Sequence, residues 1–205
     1  MALLIACFLT LVAAAHAGED ERQRARSLGE EGDALFDRGK YEAALDRYRQ
    51  AAKLVDVPTL GLREARTLEK LGRLVEAAER YRKVTRTQVP ADAPRAHHDA
   101  VALAREEHAA LEPRVPIVTV DFAGERRDLE VTLDGARFAR LGEKHRLDPG
   151  RHRIEARRGK GVFIRDIDVR EGAAVTVTIE LPAESPAPPE PAPPPPPLNP
   201  AWPIG

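Results

Sequence analysis

A stretch of this chain repeats itself 33 residues later. Leu35-Phe36-Asp37-Arg38-Gly39-Lys40-Tyr41-Glu42-Ala43-Ala44-Leu45-Asp46-Arg47-Tyr48 is echoed by Leu68-Glu69-Lys70-Leu71-Gly72-Arg73-Leu74-Val75-Glu76-Ala77-Ala78-Glu79-Arg80-Tyr81. Gly39 maps onto Gly72, Ala44 onto Ala77 and Tyr48 onto Tyr81. A period of this length belongs to stacked supersecondary units, none of which can bury its apolar face alone, and such units usually bind other proteins. The pattern within each unit is helical. Leu28, Leu35, Phe36, Ala44, Leu45, Tyr48, Ala51 and Ala52 recur at the three- and four-residue spacing of one helix face. Gly39 and Gly72 each divide a helical pair. Pro58 stands where a first helical turn needs no N–H, and Pro90 closes the second unit. Asp92 is the expected N-cap of a fifth helix, with Pro94 in its first turn, running through Val101, Leu103 and Leu111. That helix has no sequence partner, so it is expected to cap the open end of the stack.

After Leu111-Glu112-Pro113 the period changes from 3.6 to 2. Val118, Val120 and Phe122 alternate with polar residues, as do Leu129, Val131 and Leu133, which end in the hairpin signal Asp134-Gly135. Arg151–Ala156 and Phe163–Val169 read as strands. In the last strand Val175, Val177, Ile179 and Leu181 face in, with Thr176, Thr178 and Glu180 facing out. Short strands at regular turn spacing predict a small antiparallel sandwich or partial barrel. From Pro182 onward Pro dominates, with 12 of the 18 prolines in 182–203. This segment is expected to be disordered and extended, reaching roughly 60–70 Å at about 3.1 Å per residue. The expected fold class is therefore α+β and multidomain. It comprises a helical solenoid of about five helices over 18–112, a β-sandwich over 113–181 and a Pro-rich tail over 182–205.

Residues 1–17 read as a secretory signal peptide. The segment from Ala2 to Ala15 is apolar, and Ala15-His16-Ala17 places small residues before Gly18. It lacks a basic start, and Leu4-Ile5-Ala6-Cys7 is an alternative lipid-attachment motif. The expected location is exported and periplasmic, with a lipid-anchored form as the alternative and no membrane-spanning segment in the mature chain. Cys7 is the only cysteine, so cleavage after Ala17 leaves no disulfide, thiol nucleophile or Cys-based metal site.

Charge excludes one class of partner. Lys+Arg 32 against Asp+Glu 33 gives a net charge of −1, and neither half carries a concentrated basic face of the kind nucleic-acid binding demands. Enzyme chemistry is equally hard to place. Ser27 and Ser185 are the only serines, and neither sits on a strand-to-helix elbow. There is no HExxH, phosphate loop or dinucleotide fingerprint. His97, His98 and His108 share one expected helix without chelating spacing. The expectation is a non-enzymatic chain with no cofactor and no metal.

Two resemblances add to this reading. Residues 25–90 resemble tetratricopeptide repeats, in which small residues let paired helices approach and larger ones fill the core. Leu28, Gly32, Leu35, Ala44, Tyr48 and Ala51 supply the pattern in the first repeat, and Ala65, Leu68, Ala77, Tyr81 and Val84 in the second. Gly61 departs from it, standing where a large residue is expected. The alternative is a generic bundle of helical hairpins. The resemblance implies a concave protein-binding groove made by the first helix of each repeat, presenting Arg26, Asp33, Phe36, Asp37, Arg66, Glu69 and Lys70. Asp33 and Arg66 stand where the carboxylate-clamp subgroup has Asn, so binding of chaperone tails is not implied. The same charges could instead be a solvated face.

Residues 116–181 resemble the PEGA-type small β domain of bacterial envelope proteins. The likeness rests on Leu129–Gly135, Leu147-Asp148-Pro149-Gly150-Arg151-His152 and the strand Val175–Leu181. Where that family tends to carry Gly-Tyr, this chain has Arg158-Gly159-Lys160-Gly161. Arg157, Arg158 and Lys160 are thereby candidate contacts to an anionic surface. The function expected from all this is an exported adaptor or scaffold binding a protein partner. The alternative is a module that binds cell-wall polymer or polysaccharide through its β domain.

Overall fold

The structure, a computed structural model, describes residues 2–124 and 126–181, with side chains from Gly18 onward. The Pro-rich tail over 182–205 lies outside the described residues, as do the side chains of the expected leader. The chain is α+β, with five helices followed by seven strands among the described residues. The helices are α1 (Ala2–Asp37), α2 (Tyr41–Leu54), α3 (Pro58–Lys70), α4 (Leu74–Thr85) and α5 (Arg95–Leu111). Among the described residues no helix is long and apolar enough to cross a membrane.

The sequence repeat is a repeat of backbone geometry. Gly39 has φ 71° and Gly72 φ 74°, the left-handed conformation that ends a helix and suits Gly. Each is followed by the same closing bond, from Lys40 N–H to Leu35 O at 2.9 Å and from Arg73 N–H to Leu68 O at 3.0 Å. The next helix therefore leaves in the same direction in both units. Pro58 opens α3 as expected. Asp92 does not cap α5. The cap position is Pro94, at φ −52° and ψ 136°, and the helix begins at Arg95. A proline disfavours the helical conformation at the residue before it, so the first turn cannot start upstream of Ala93.

Packing explains where the second unit departs from the first. Any side chain at Gly61 would place its Cβ 2.5 Å from Val84 Cγ2. The first unit has the large Leu28 on its first helix and the small Ala51 on its second. The second unit has Gly61 and Val84 at the matching places, so the bulk has moved across the helix pair. α5 closes the stack by burying Ala100, Val101, Ala104 and Leu111 against the core of α3 and α4, which includes Leu68, Ala77, Tyr81 and Val84.

The strands are β1 (Ile117–Phe122), β2 (Glu130–Leu133), β3 (Ala136–Arg137), β4 (Lys144–Arg146), β5 (Gly150–Arg158), β6 (Gly161–Val169) and β7 (Ala174–Ile179). They form two sheets, in the orders β4-β1-β7 and β3-β2-β5-β6. One apolar core joins residues from both sheets, among them Val118, Val120, Ile154, Ala156, Val169, Val177 and Ile179. Asp134 (φ 51°) and Gly135 (φ 78°) make the two-residue turn between β2 and β3. The all-antiparallel expectation needs one correction. β1 and β7 pair in parallel, from Ile117 with Ala174 to Phe122 with Ile179. These are the first and last strands of the module, and the intervening strands supply the long crossover that parallel pairing requires.

Candidate functional site

In the helical half, α1, α3 and α5 are the first helices of successive units and share one side of the stack. Between the exposed flank of α1 and the first turns of α3 and α5 lies a cleft of about 470 Å³. Its floor is apolar, built from Ala25, Gly29, Val55, Val57 and Leu60. Its walls carry Arg22, Arg26, Arg63 and His97, with Glu30 as the one carboxylate among the lining residues. Arg22 and Arg26 are exposed and one helical turn apart. Arg63 is held by Asp33, with Nη2 3.0 Å from Oδ2. The first turns of α3 and α5 carry no side-chain cap, so the positive ends of two helices face the same region as the guanidinium groups. The cleft can take an extended chain with an apolar side chain down and negative groups along the rim.

The structure distributes the seven expected groove residues. Arg26 lines the cleft. Asp33 lies at its edge, bound to Arg63 and accepting a 2.7 Å hydrogen bond from the Tyr48 hydroxyl. Burial and then that carboxylate push the Tyr48 phenol upward. Phe36 is half-buried and meets the Tyr41 ring edge-on, with centroids 5.2 Å apart. Asp37 and Lys70 are exposed. Arg66 and Glu69 are engaged inside the protein. Arg66 Nε donates to both oxygens of Glu107 on α5, at 2.9 and 3.1 Å. The Tyr81 hydroxyl lies 2.9 Å from Glu69 Oε2 and 2.9 Å from Glu107 Oε2, and a single proton serves one acceptor at a time. Burial drives the Tyr81 phenol up, and the two carboxylates drive it further. Burial also raises the Glu107 carboxyl, but hydrogen bonds from Arg66 and Tyr81 outweigh it and hold Glu107 below its ordinary value.

The two units solve one problem differently. Each buries a tyrosine whose hydroxyl needs an acceptor. In the first unit that acceptor is Asp33; the matching residue in the second is Arg66, which cannot accept. Glu69 and Glu107 take over the role, and Glu107 neutralises Arg66 as well. α5 is thereby bound to α3 and α4 by charge as well as by packing.

The same network runs into the β module. Arg114, in the short 3₁₀ turn Glu112–Arg114, donates to Glu69 and, through Nε, to Glu171 Oε2 at 3.0 Å. Gly172 N–H donates to Arg114 O, and Leu147 N–H to Pro116 O at 3.1 Å. Asp148 Oδ1 accepts from Val75 N–H at 2.8 Å, so the β module caps the first turn of α4. His152 secures the segment that carries Asp148. Its Nδ1 lies 2.7 Å from Asp134 Oδ2, and its Nε2 2.9 Å from the Asp148 carbonyl. Burial raises the Asp134 carboxyl, but hydrogen bonds from His152 and from Arg153 N–H more than offset it and leave it lowered.

The three basic residues near the β5–β6 tip differ in availability. The Arg158 guanidinium sits over the Phe122 ring, 5.5 Å from its centroid. Arg157 Nη2 is 3.5 Å from Glu155 Oε2. Lys160 is exposed at the turn itself. Among the described residues no three His, Cys, Asp or Glu side chains gather where they could hold one metal ion.

Arg22, Arg63 and His97 were not among the expected groove residues. The repeat pattern places side chains relative to their own helix pair. It gives no sign that the start of α5 is brought beside the start of α3. Comparison with protein-family models, with characterised proteins and with solved structures yields no match.

Proposed function

We propose that this chain is a non-enzymatic exported adaptor that holds a protein partner on the face shared by α1, α3 and α5. In this reading the helical half is a tetratricopeptide-like solenoid closed by α5. The two sheets are a PEGA-like sandwich fixed to its side, and residues 1–17 are the leader that directs export. The observation that carries the reading is the cleft of about 470 Å³, with its apolar floor and its rim of guanidinium groups. It opens on the side of the stack where such repeats receive an extended chain. The β module as a binder of wall polymer has less support, because Arg158 lies over Phe122 and Arg157 leans on Glu155.

The test is site-specific photocrosslinking in cells. A crosslinker at Thr59, on the cleft, should capture one discrete protein. The same crosslinker at Glu79, exposed on α4, should not capture it. Capture of that protein from both positions, or recovery of wall material alone, would refute the reading.

A further inference from the structure

We infer that the segment received by the cleft is an acidic extended peptide, with carboxylates flanking an apolar side chain. This rests on the reading that the α1–α3–α5 face is the partner site, and it names the chemistry of the occupant. The argument begins from the charge left over. The chain as a whole is almost neutral, at −1, and many of its arginines are matched by carboxylates nearby. Arg49 reaches Glu76, Arg80 reaches Glu64 and Arg114 reaches Glu171. Arg22 and Arg26 have no ion-pair or hydrogen-bond partner among the described residues. They stand side by side on α1, above the same floor as Arg63 and His97. Asp33 meets Arg63, and Glu30, the one carboxylate in the lining, cannot balance both Arg22 and Arg26.

An occupant that completes this site brings negative charge to the rim. Guanidinium groups suit carboxylates because the planar fork donates two parallel hydrogen bonds. The floor decides which anion fits. Ala25 and Leu60 are buried apolar residues at the base of the cleft, and burying a further aliphatic group against them is favourable. A polyphosphate or an anionic polysaccharide presents charge but no aliphatic side chain for that floor. A peptide presents both, with alternate side chains pointing to opposite sides when it is extended.

The experiment uses the full chain and three fluorescein-labelled peptides in an anisotropy titration: acetyl-Glu-Glu-Leu-Glu-Glu-amide, its Ser-Ser-Leu-Ser-Ser counterpart and its Lys-Lys-Leu-Lys-Lys counterpart. The acidic peptide should bind, the serine peptide should bind about tenfold or more weakly, and the lysine peptide should not bind. Arg22→Glu with Arg26→Glu should weaken the acidic peptide by about tenfold or more. Both positions are exposed, and unchanged helicity by circular dichroism would confirm that the fold survives. Raising the salt severalfold should also weaken binding, because the rim is open to solvent. Replacing the peptide's leucine by serine should weaken it again. Equal binding of the acidic and serine peptides, or indifference to the double charge reversal, would overturn the inference. So would equal displacement by charge-matched inorganic polyphosphate, which would assign the cleft to an anionic polymer. The Thr59 crosslink separates the two failures. If it captures its protein equally in the charge-reversed chain, the face is still the partner site and only the acidic assignment falls.

Discussion

Glu107→Gln should loosen α5 from the rest of the helical stack, by an amount that depends on pH. The side chain keeps its size, so no cavity forms, and the change removes only charge. Two interactions lose their charged partner: the fork from Arg66, at 2.9 and 3.1 Å from Nε, and the Tyr81 hydroxyl at 2.9 Å. A hydrogen bond to a charged group contributes about 1.5–3 kcal/mol where it is buried. The Arg66 side chain is 42% exposed, so solvent screens its share to below about 1 kcal/mol. Tyr81 is fully buried but keeps Glu69 as an acceptor, which returns part of its share. The expected cost is about 1–2 kcal/mol near neutral pH. With a urea slope of roughly 2 kcal/mol/M this lowers the helical midpoint by about 0.5–1 M.

The pH dependence supplies the sharper test. The Glu107 carboxyl is held below its ordinary 4.5 in the folded protein. A lowered carboxyl contributes stability that is complete above the unfolded value and lost as pH falls through the folded one. Native chain and variant should therefore differ near pH 7, and the gap should close as pH falls below 4.5 and through the lowered folded value. The readout is the urea transition followed by helical circular dichroism. A gap that stays constant down the whole pH range would refute the charge argument, and a gap of zero near neutral pH would refute the role of Glu107 in holding α5.

Further predictions follow from the packing and from the junction between the halves. Gly61→Leu should destabilise the helical half by about 1–3 kcal/mol through overpacking against Val84, and Val84→Ala should recover much of that loss. A thermal-melt double-mutant cycle with no coupling between the two sites would contradict the exchange of bulk. Asp148→Ala should remove the cap on α4 and cost about 1 kcal/mol, with faster hydrogen exchange at the Val75 amide as its specific mark. Unchanged protection at Val75 would mean that the β module does not cap that helix. Asp134→Asn should flatten the acid limb of β-module stability. The lowered Asp134 carboxyl stabilises the fold above its ordinary value of 3.8, and that contribution disappears as pH falls through the folded value. Parallel acid limbs in chain and variant, followed by hydrogen exchange of the β5 amides, would refute it.

The parts of the fold legible in the sequence are those set by local chemistry. Gly39 and Gly72 mark helix ends because a left-handed residue without a Cβ is the easiest way to turn the chain there. Asp134-Gly135 marks a hairpin for a similar reason, since both residues take positive φ. The alternation in β1 and β7 likewise showed which side chains face the core. It could not show that the two strands run parallel, because alternation looks the same in either direction. Asp92 is a good cap in isolation, but α5 starts later because Pro94 sets the backbone on which a cap would have to act. The candidate site was legible only at Arg26. Arg66 and Glu69 belong by pattern to the open face, but they meet Glu107 and Arg114, 41 and 45 residues away in sequence. A contact at that separation leaves no periodic trace.

This long-range network also bears on why a binding cleft and a β module should share one chain. Glu69 lies on α3, the helix that supplies Leu60 and Arg63 to the cleft, and it accepts from Tyr81 and from Arg114. Arg114 in turn holds Glu171, in the turn that leads into β7, while Asp148 caps α4 from the other side of the junction. The β module therefore grips both helices of the second unit, and α3 is one wall of the cleft. A loosely tethered domain would leave α3 free to shift against α1. If the two sets of hydrogen bonds about α3 and α4 restrict that motion, the cleft stands open before an occupant arrives. Preorganisation of this kind reduces the ordering cost of binding. On this argument, Asp148→Ala should weaken the acidic peptide without touching any residue that lines the cleft. Its loss should appear as faster dissociation, measured by stopped-flow anisotropy, with the association rate little changed. A variant that loses Val75 protection yet binds the peptide as tightly as the native chain would show that the β module steadies the fold and not the site.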